Sequence, residues 1–165
     1  MKIYYAIAIH LPISRKYFGI GGKVRNALCR RIFKKCFETS NIEKGASFGT
    51  GFNVELGEYS GIGINADIPS NTIIGDYVMM GPNCVILGQN HCFDRTDIPI
   101  MKQGYKRTTP TIIEDDVWIG RDVTMTPGRH ISKGSIIAAG CVLCKDFPEY
   151  SVIGGNPSKL IKIRK

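Results

Sequence analysis

The sequence has one tryptophan, three histidines and no apolar run long enough to cross a membrane, and its first forty-one residues hold a single acid, Glu38. Each shortage excludes something. A spanning helix needs about twenty apolar residues. The apolar opening, 1–12, is shorter and is interrupted by His10 and Pro12. It also lacks the small-residue cleavage site of a secretory leader, so a cytoplasmic protein is expected. None of the six cysteines falls at metal-ligand spacing, and a cytoplasmic chain keeps its thiols free, so neither a metal nor a disulfide is expected. No aromatic-rich sheet or recognition motif accompanies the basic residues, which argues against nucleic acid.

What is present divides the chain at about residue 42. Residues 1–41 carry Lys2, Arg15, Lys16, Lys23, Arg25, Arg30, Arg31, Lys34 and Lys35 against Glu38, and the rest is neutral, with thirteen charges of each sign. Between Val24 and Phe37, the residues Val24, Leu28, Ile32, Cys36 and Phe37 fall near helical spacing with cations between them. That predicts a cationic amphipathic helix over 24–37, with Cys29 and Cys36 on one face. It would cap the rest of the chain, and contact with an anionic membrane surface through 1–37 is open as well.

From residue 42 the chain is a repeat of six. Leu56, Ile62, Ile68, Ile74, Met80 and Ile86 are one series, and Ile113, Ile119, Met125, Ile131, Ile137 and Leu143 are another. All twelve are Ile, Leu or Met, types that make up 35 of 165 residues, so chance does not explain the series. Four positions on come mostly small or β-branched residues, among them Ser60, Ala66, Val78, Cys84, Val117, Val123 and Cys141. Glycine directly follows the anchor at 57, 63, 75, 81 and 120, which suits a tight turn after a short strand. A period of six fits neither helix nor simple strand. It predicts a solenoid of short strands and sharp corners, in which Cys84 and Cys141 are buried filler. An earlier pair, Ile42 and Phe48, stands out of register by two residues.

The two series are separated by a polar excursion over 92–112, and His91 stands just before it. The excursion holds Asp94, Arg95, Asp97, Lys102, Tyr105, Lys106 and Arg107, groups suited to a polar ligand. A loop of this length inside a compact domain is usually functional or disordered.

With the repeat, Asn90-His91 before the loop, Val117-Trp118-Ile119-Gly120 after it and the ending Val152-Ile153-Gly154-Gly155-Asn156-Pro157-Ser158-Lys159, the chain resembles the hexapeptide-repeat acyltransferases. The resemblance covers 42–165. It implies an all-β fold, a left-handed parallel β-helix with three hexapeptides per coil. It also implies acetyl transfer from acetyl-CoA to a hydroxyl, without a metal, and a homotrimer with its sites between chains. Within the family, Phe93-Asp94-Arg95-Thr96-Asp97-Ile98-Pro99 is most similar to the O-acetyltransferases of surface-polysaccharide synthesis, so a sugar acceptor is expected.

By that resemblance His91 is the general base, and the imidazole suits the task because it titrates near neutral pH. Asn65, Asn90 and Asp94 would hold the acceptor, although Asn65 could equally satisfy a coil corner. Trp118, Gly120 and Ala139 would line the pantetheine arm, with Lys145, Lys159 and Lys162 near the nucleotide. Cys144 and Lys159 depart from the threonine and arginine common in the family. His10 and His130, the latter at a coil corner, are expected to be structural. Cys92 could be a nucleophile beside His91, but direct transfer needs no covalent intermediate. The competing readings are a small-molecule acceptor (an antibiotic, free sugar or serine), a carbonic anhydrase, for which the histidines are badly placed, and a non-catalytic solenoid.

Overall fold

The computed structural model describes residues 1–16 and 19–165. From Lys35 onward the chain winds as a three-sided solenoid, the left-handed parallel β-helix expected for the repeat. Its strands are mostly two residues long, the second turned inward. Face one stacks β1 (Lys35–Cys36), β3 (Glu55–Leu56), β5 (Ile73–Ile74), β8 (Ile112–Ile113) and β11 (His130–Ile131). Face two stacks β2 (Asn41–Ile42), β4 (Gly61–Ile62), β6 (Met79–Met80), β9 (Trp118–Ile119), β12 (Ile136–Ile137) and β14 (Ser151–Gly154), and β15 (Lys159–Ile163) runs back antiparallel along its edge. Face three stacks β7 (Val85–Ile86), β10 (Thr124–Met125) and β13 (Val142–Leu143), extended by single bridges at Asp67 and Ser47.

The register shows how the hexapeptide works. Glu55 pairs with Ile73 and Thr124 with Val142, eighteen positions apart, which is three hexapeptides to a coil. Ile73 pairs with Ile112, one coil plus the 21-residue excursion. Lys35 pairs with Glu55, twenty apart, so the two-residue slip is a widened corner between Phe48 and Leu56. Eleven of the twelve anchors are buried, Met80 alone being half-buried. Each fully buried anchor contributes about 1.5–3 kcal/mol, but only with a coil above and below it.

The glycines after the anchors serve a different purpose from the one expected. The left-handed conformation falls three residues after the anchor, on Tyr59, Asn65, Tyr77, Asn83, Asp116 and Asp122. Gly63 is instead required by stacking: a Cβ there would lie 2.1 Å from the carbonyl oxygen of Gly81.

The N-terminal segment lies over the open end of the first coil. It consists of α1 (Lys2–Ala6), a 3-10 turn (Ala8–His10) and α2 (Ile20–Ile32). Tyr4 and Phe33 close on Phe48, with ring centroids 4.5 and 4.7 Å away, and the Tyr4 hydroxyl donates to the Ala46 carbonyl. The helix predicted over 24–37 is displaced. It begins at Ile20 because Gly21 and Gly22 press against Pro12 and Ser14, where a side chain would collide. It ends at Ile32 because Lys35 and Cys36 are taken up by β3, which places Cys36 on a strand and off the face of Cys29.

Its buried side is also not the expected one. Arg25 and Cys29 are fully buried while Val24 is exposed. Arg25, counted above among the surface cations, donates from Nε to the Ile42 carbonyl (2.6 Å), from Nη1 to Leu11 (3.0 Å) and from Nη2 to Pro12 (3.1 Å), with Glu43 3.7 Å away. Burial lowers its pKa against the opposing charge of Glu43. Burial alone would raise Glu43, but the Ser14 N–H, the Asn41 amide and Arg25 hold it below the ordinary carboxylate range. Burial pushes the thiols of Cys29, Cys84 and Cys141 up, as suits buried filler.

Candidate active site

The last regular bond before the excursion is from the Leu87 N–H to Met125 on face three. The chain then leaves the coil and closes on itself. The Lys106 N–H donates to Asn90 (2.8 Å) and the Cys92 N–H to Gly104 (3.0 Å), which makes His91 and Tyr105 an antiparallel bridge. These two face each other as a pair that does not itself share hydrogen bonds, the arrangement that brings side chains closest. The rings follow: the Tyr105 centroid lies 4.3 Å from that of the imidazole, tilted by 32°.

Beyond this base the loop is an ordered flap. The Gln103 side chain donates to the carbonyls of Arg95 (2.8 Å) and Ile98 (3.1 Å) and accepts from the Arg95 N–H (3.1 Å). Arg95 and Asp97 form an ion pair, and a 3-10 turn occupies Ile100–Lys102. Asp94 lies 3.8 Å from Lys106, whose ammonium sits over the Phe93 ring. Thus Asn90, His91 and Asp94 share one place with Tyr105 and Lys106. The His91 ring is exposed, and among the described residues no side chain hydrogen-bonds either of its nitrogens.

The remaining residues sit elsewhere. Trp118 points outward from face two, 52% exposed, directly beside Met79 at 60%. Gly120 and Ala139 follow at the corner between faces two and three, packed so tightly that a Cβ on Gly120 would lie 2.6 Å from the Ala139 nitrogen. Lys162 pairs with Val152 and Lys159 with Gly154, so both extend the same face. Four adjacent strands separate Trp118 from Lys162 by about 14 Å. Lys145 does not join them. It lies at the corner between faces three and one, over Phe147, on the side of the prism that carries His91.

Asn65 is also apart from His91, at the corner between faces two and three. Its amide donates to Asn83 (3.2 Å), whose amide donates to Asp122 (2.9 Å), a ladder of side chains along that corner. His130 lies on strand β11, not at a corner, and binds Glu114 at 2.7 Å. The Lys133 N–H and then His130 hold that carboxyl below its usual range. The exposed Cys144 thiol is lowered by its hydrogen bond with Ser158. Among the described residues no cluster could hold a metal ion.

No family profile matches the chain. It is 33% identical over 140 residues to a candidate acetyltransferase of Saccharomyces cerevisiae, covering 84% of this chain and 70% of that one. The chain belongs to the hexapeptide-repeat acetyltransferases. Its fold superposes on a maltose O-acetyltransferase from Clostridium difficile with a TM-score of 0.74 and 29% identity, covering 99% of this chain and 84% of that one. It also superposes on a galactoside acetyltransferase in complex with coenzyme A, with a TM-score of 0.71 and 27% identity, covering 84% and 69%. It is therefore an acyltransferase.

Two residues that complete the acetyltransferase's flap had little signal in the sequence. Gln103 was missed altogether, and Tyr105 was read as one polar group among several. The fifteen residues from His91 to Tyr105 contain a glycine, Gly104, but no repeat to show that the ends meet. Tyr105→Ala is expected to lower kcat about tenfold, as a freed imidazole loses alignment, with the KM for acetyl-CoA unchanged and Tyr105→Phe near wild type. An equal loss in the phenylalanine variant, or a change confined to KM, contradicts the positioning role.

Proposed function

We propose that the chain transfers the acetyl group of acetyl-CoA to a hydroxyl of a sugar, with His91 as general base. The observation that carries this is the single imidazole, open at both nitrogens, held by a bridge where the solenoid gives way to an ordered flap. His91 takes the acceptor's proton as the oxygen attacks the thioester carbonyl, and returns it to the departing thiolate. Asn90, Asp94 and Lys106 surround it with groups that orient a polyol. The outward face around Trp118, Gly120 and Ala139 suits the slender arm of coenzyme A. Lys159 and Lys162, exposed along the same face, suit its phosphates as point charges.

The acceptor we favour is a cell-surface glycan or its precursor, on the likeness of 93–99. The maltose and galactoside enzymes among the structural neighbours support a saccharide in general. The test is acceptor-dependent release of thiol from acetyl-CoA, using short free saccharides and polymeric glycans. Stimulation by glycans supports the full reading and stimulation by free sugars alone moves it to a small acceptor. No stimulation by any saccharide overturns it.

Within one chain, face two lies opposite the corner that carries His91 and Lys145. Trp118 and His91 therefore meet only if one prism presents face two to the next, a head-to-tail contact that closes as a ring. We propose a homotrimer with three such sites. Asn65, on the corner beside Gly120, would reach His91 from the neighbouring chain. Co-expressed His91→Ala and Trp118→Glu chains, each inactive alone, are expected to regain about a quarter of wild-type activity, since one interface in four pairs an intact His91 with an intact Trp118. Mixtures no more active than their components contradict the shared site.

A further inference from the structure

The outer surface of the N-terminal segment is not needed by any part of the reading above. Tyr4 and Ala8 turn inward from the first helical segment, leaving Ile3 and Ile7 62% and 59% exposed one turn apart. In α2 the inward side is taken by Arg25, Asn26, Cys29 and Ile32. The opposite side carries Ile20, 57% exposed, with Val24 and Ala27, spaced as one helical stripe and flanked by Lys23, Arg30 and Arg31. Isolated exposed aliphatics are ordinary, but four large ones on a segment this short, all turned away from the coil they cover, are a surface in search of a partner.

We infer that this surface docks the protein on an anionic lipid bilayer, the aliphatic side chains entering the interface and the cations meeting the headgroups. Charge is what selects that partner. Lys2, Arg15, Lys16, Lys23 and Arg31 are exposed, and among the described residues none has an acid within ion-pair distance. Arg25 contributes nothing here, being buried and committed to backbone carbonyls. Glu38 is the one acid in residues 1–41 and lies 4.0 Å from Arg30, and Glu43 is committed to Arg25, Ser14 and Asn41. A second copy of this chain would bring like charge against like charge. A nucleic acid would leave the aliphatic stripe in water. A bilayer with acidic headgroups satisfies both halves, at about 1 kcal/mol for each cation near the surface plus the burial of the aliphatic tips.

No helix among the described residues is long and apolar enough to cross a membrane. The contact is interfacial and reversible. It lies at the end of the prism axis, so in a ring of side-by-side prisms three such surfaces would face the same way, and an acceptor anchored in lipid would be reached along the sides.

The test is co-sedimentation of the full chain with vesicles of phosphatidylethanolamine containing phosphatidylglycerol, and with vesicles of phosphatidylcholine alone. Binding to the anionic vesicles is expected to be at least about tenfold tighter and to weaken with salt. The Ile3→Ser/Ile7→Ser and Lys23→Ser/Arg31→Ser pairs should each lose about tenfold, with melting temperatures near wild type because all four side chains are exposed. Equal binding to both vesicles, binding untouched by either pair, or no binding at all overturns the inference. So does a doubled mass in sedimentation that the Ile3/Ile7 pair abolishes, which would assign the surface to a second copy. The assay involves no turnover, so its failure leaves the acetyltransferase reading intact, and the reverse also holds.

Discussion

His91→Ala is expected to lower acetyl transfer by about 10²–10⁴-fold, with the fold, the melting temperature and the binding of acetyl-CoA left near wild type. The size follows from the chemistry. A sugar hydroxyl is a weak nucleophile at neutral pH, and removing the base leaves only the alignment of the two substrates. The selectivity follows from the structure: the ring is exposed, contacts Tyr105 alone among the described aromatics, and plugs no part of the core. Coenzyme A affinity should persist because the contacts proposed for coenzyme A come from Trp118, Gly120, Ala139, Lys159 and Lys162 and not from the imidazole. The measurement is kcat from thiol release, beside titration of acetyl-CoA binding. Turnover within a few-fold of wild type would remove His91 as the base and turn attention to the neighbouring Cys92.

Arg25→Met is expected to unfold the N-terminal segment, at a cost of about 3–5 kcal/mol, the range for removing one partner of a buried ion pair. Three carbonyls, those of Leu11, Pro12 and Ile42, lose the donor of a fully buried side chain, and Glu43 keeps a charge without its counterpart. Arg25→Lys should restore little, because one ammonium cannot replace a planar fork aimed at three acceptors. The pH dependence has a definite sign. Glu43 is held below its unfolded pKa, so its contribution is present above the ordinary carboxylate range and is lost as pH falls through the depressed folded value. Urea or thermal melts of wild type should therefore weaken in acid, and the Arg25 variants should lose part of that dependence. A melting profile for Arg25→Met like that of wild type would show that the guanidinium does not hold the cap.

The cap also shows where a one-dimensional pattern misleads. Val24, Leu28 and Ile32 have helical spacing, and a helix is there, but its buried face is set by Arg25 and Cys29. The deciding partners are backbone carbonyls from 8–12 and 42, which no local periodicity encodes. The helix stops at Ile32 for a similar reason: β3, twenty residues away, claims Lys35 and Cys36. The solenoid behaved differently. Its buried column is written in single positions repeated every six, and each coil contacts only its neighbours, so spacing along the chain translates directly into packing.

The chain's own order of residues was enough to establish the six-residue repeat, the two-residue slip, the length of the excursion and the placing of His91 at its exit. These are local or strictly periodic properties, and short-range geometry decides them. Only the folded molecule decided that the excursion is an ordered flap pinned by Gln103, that Tyr105 lies on the imidazole, that the Asn65 amide bonds to Asn83, and that Trp118 and His91 stand on opposite sides of the prism. Those facts depend on which residues distant in sequence share a corner or a face, and a three-sided coil separates them by angle around its axis.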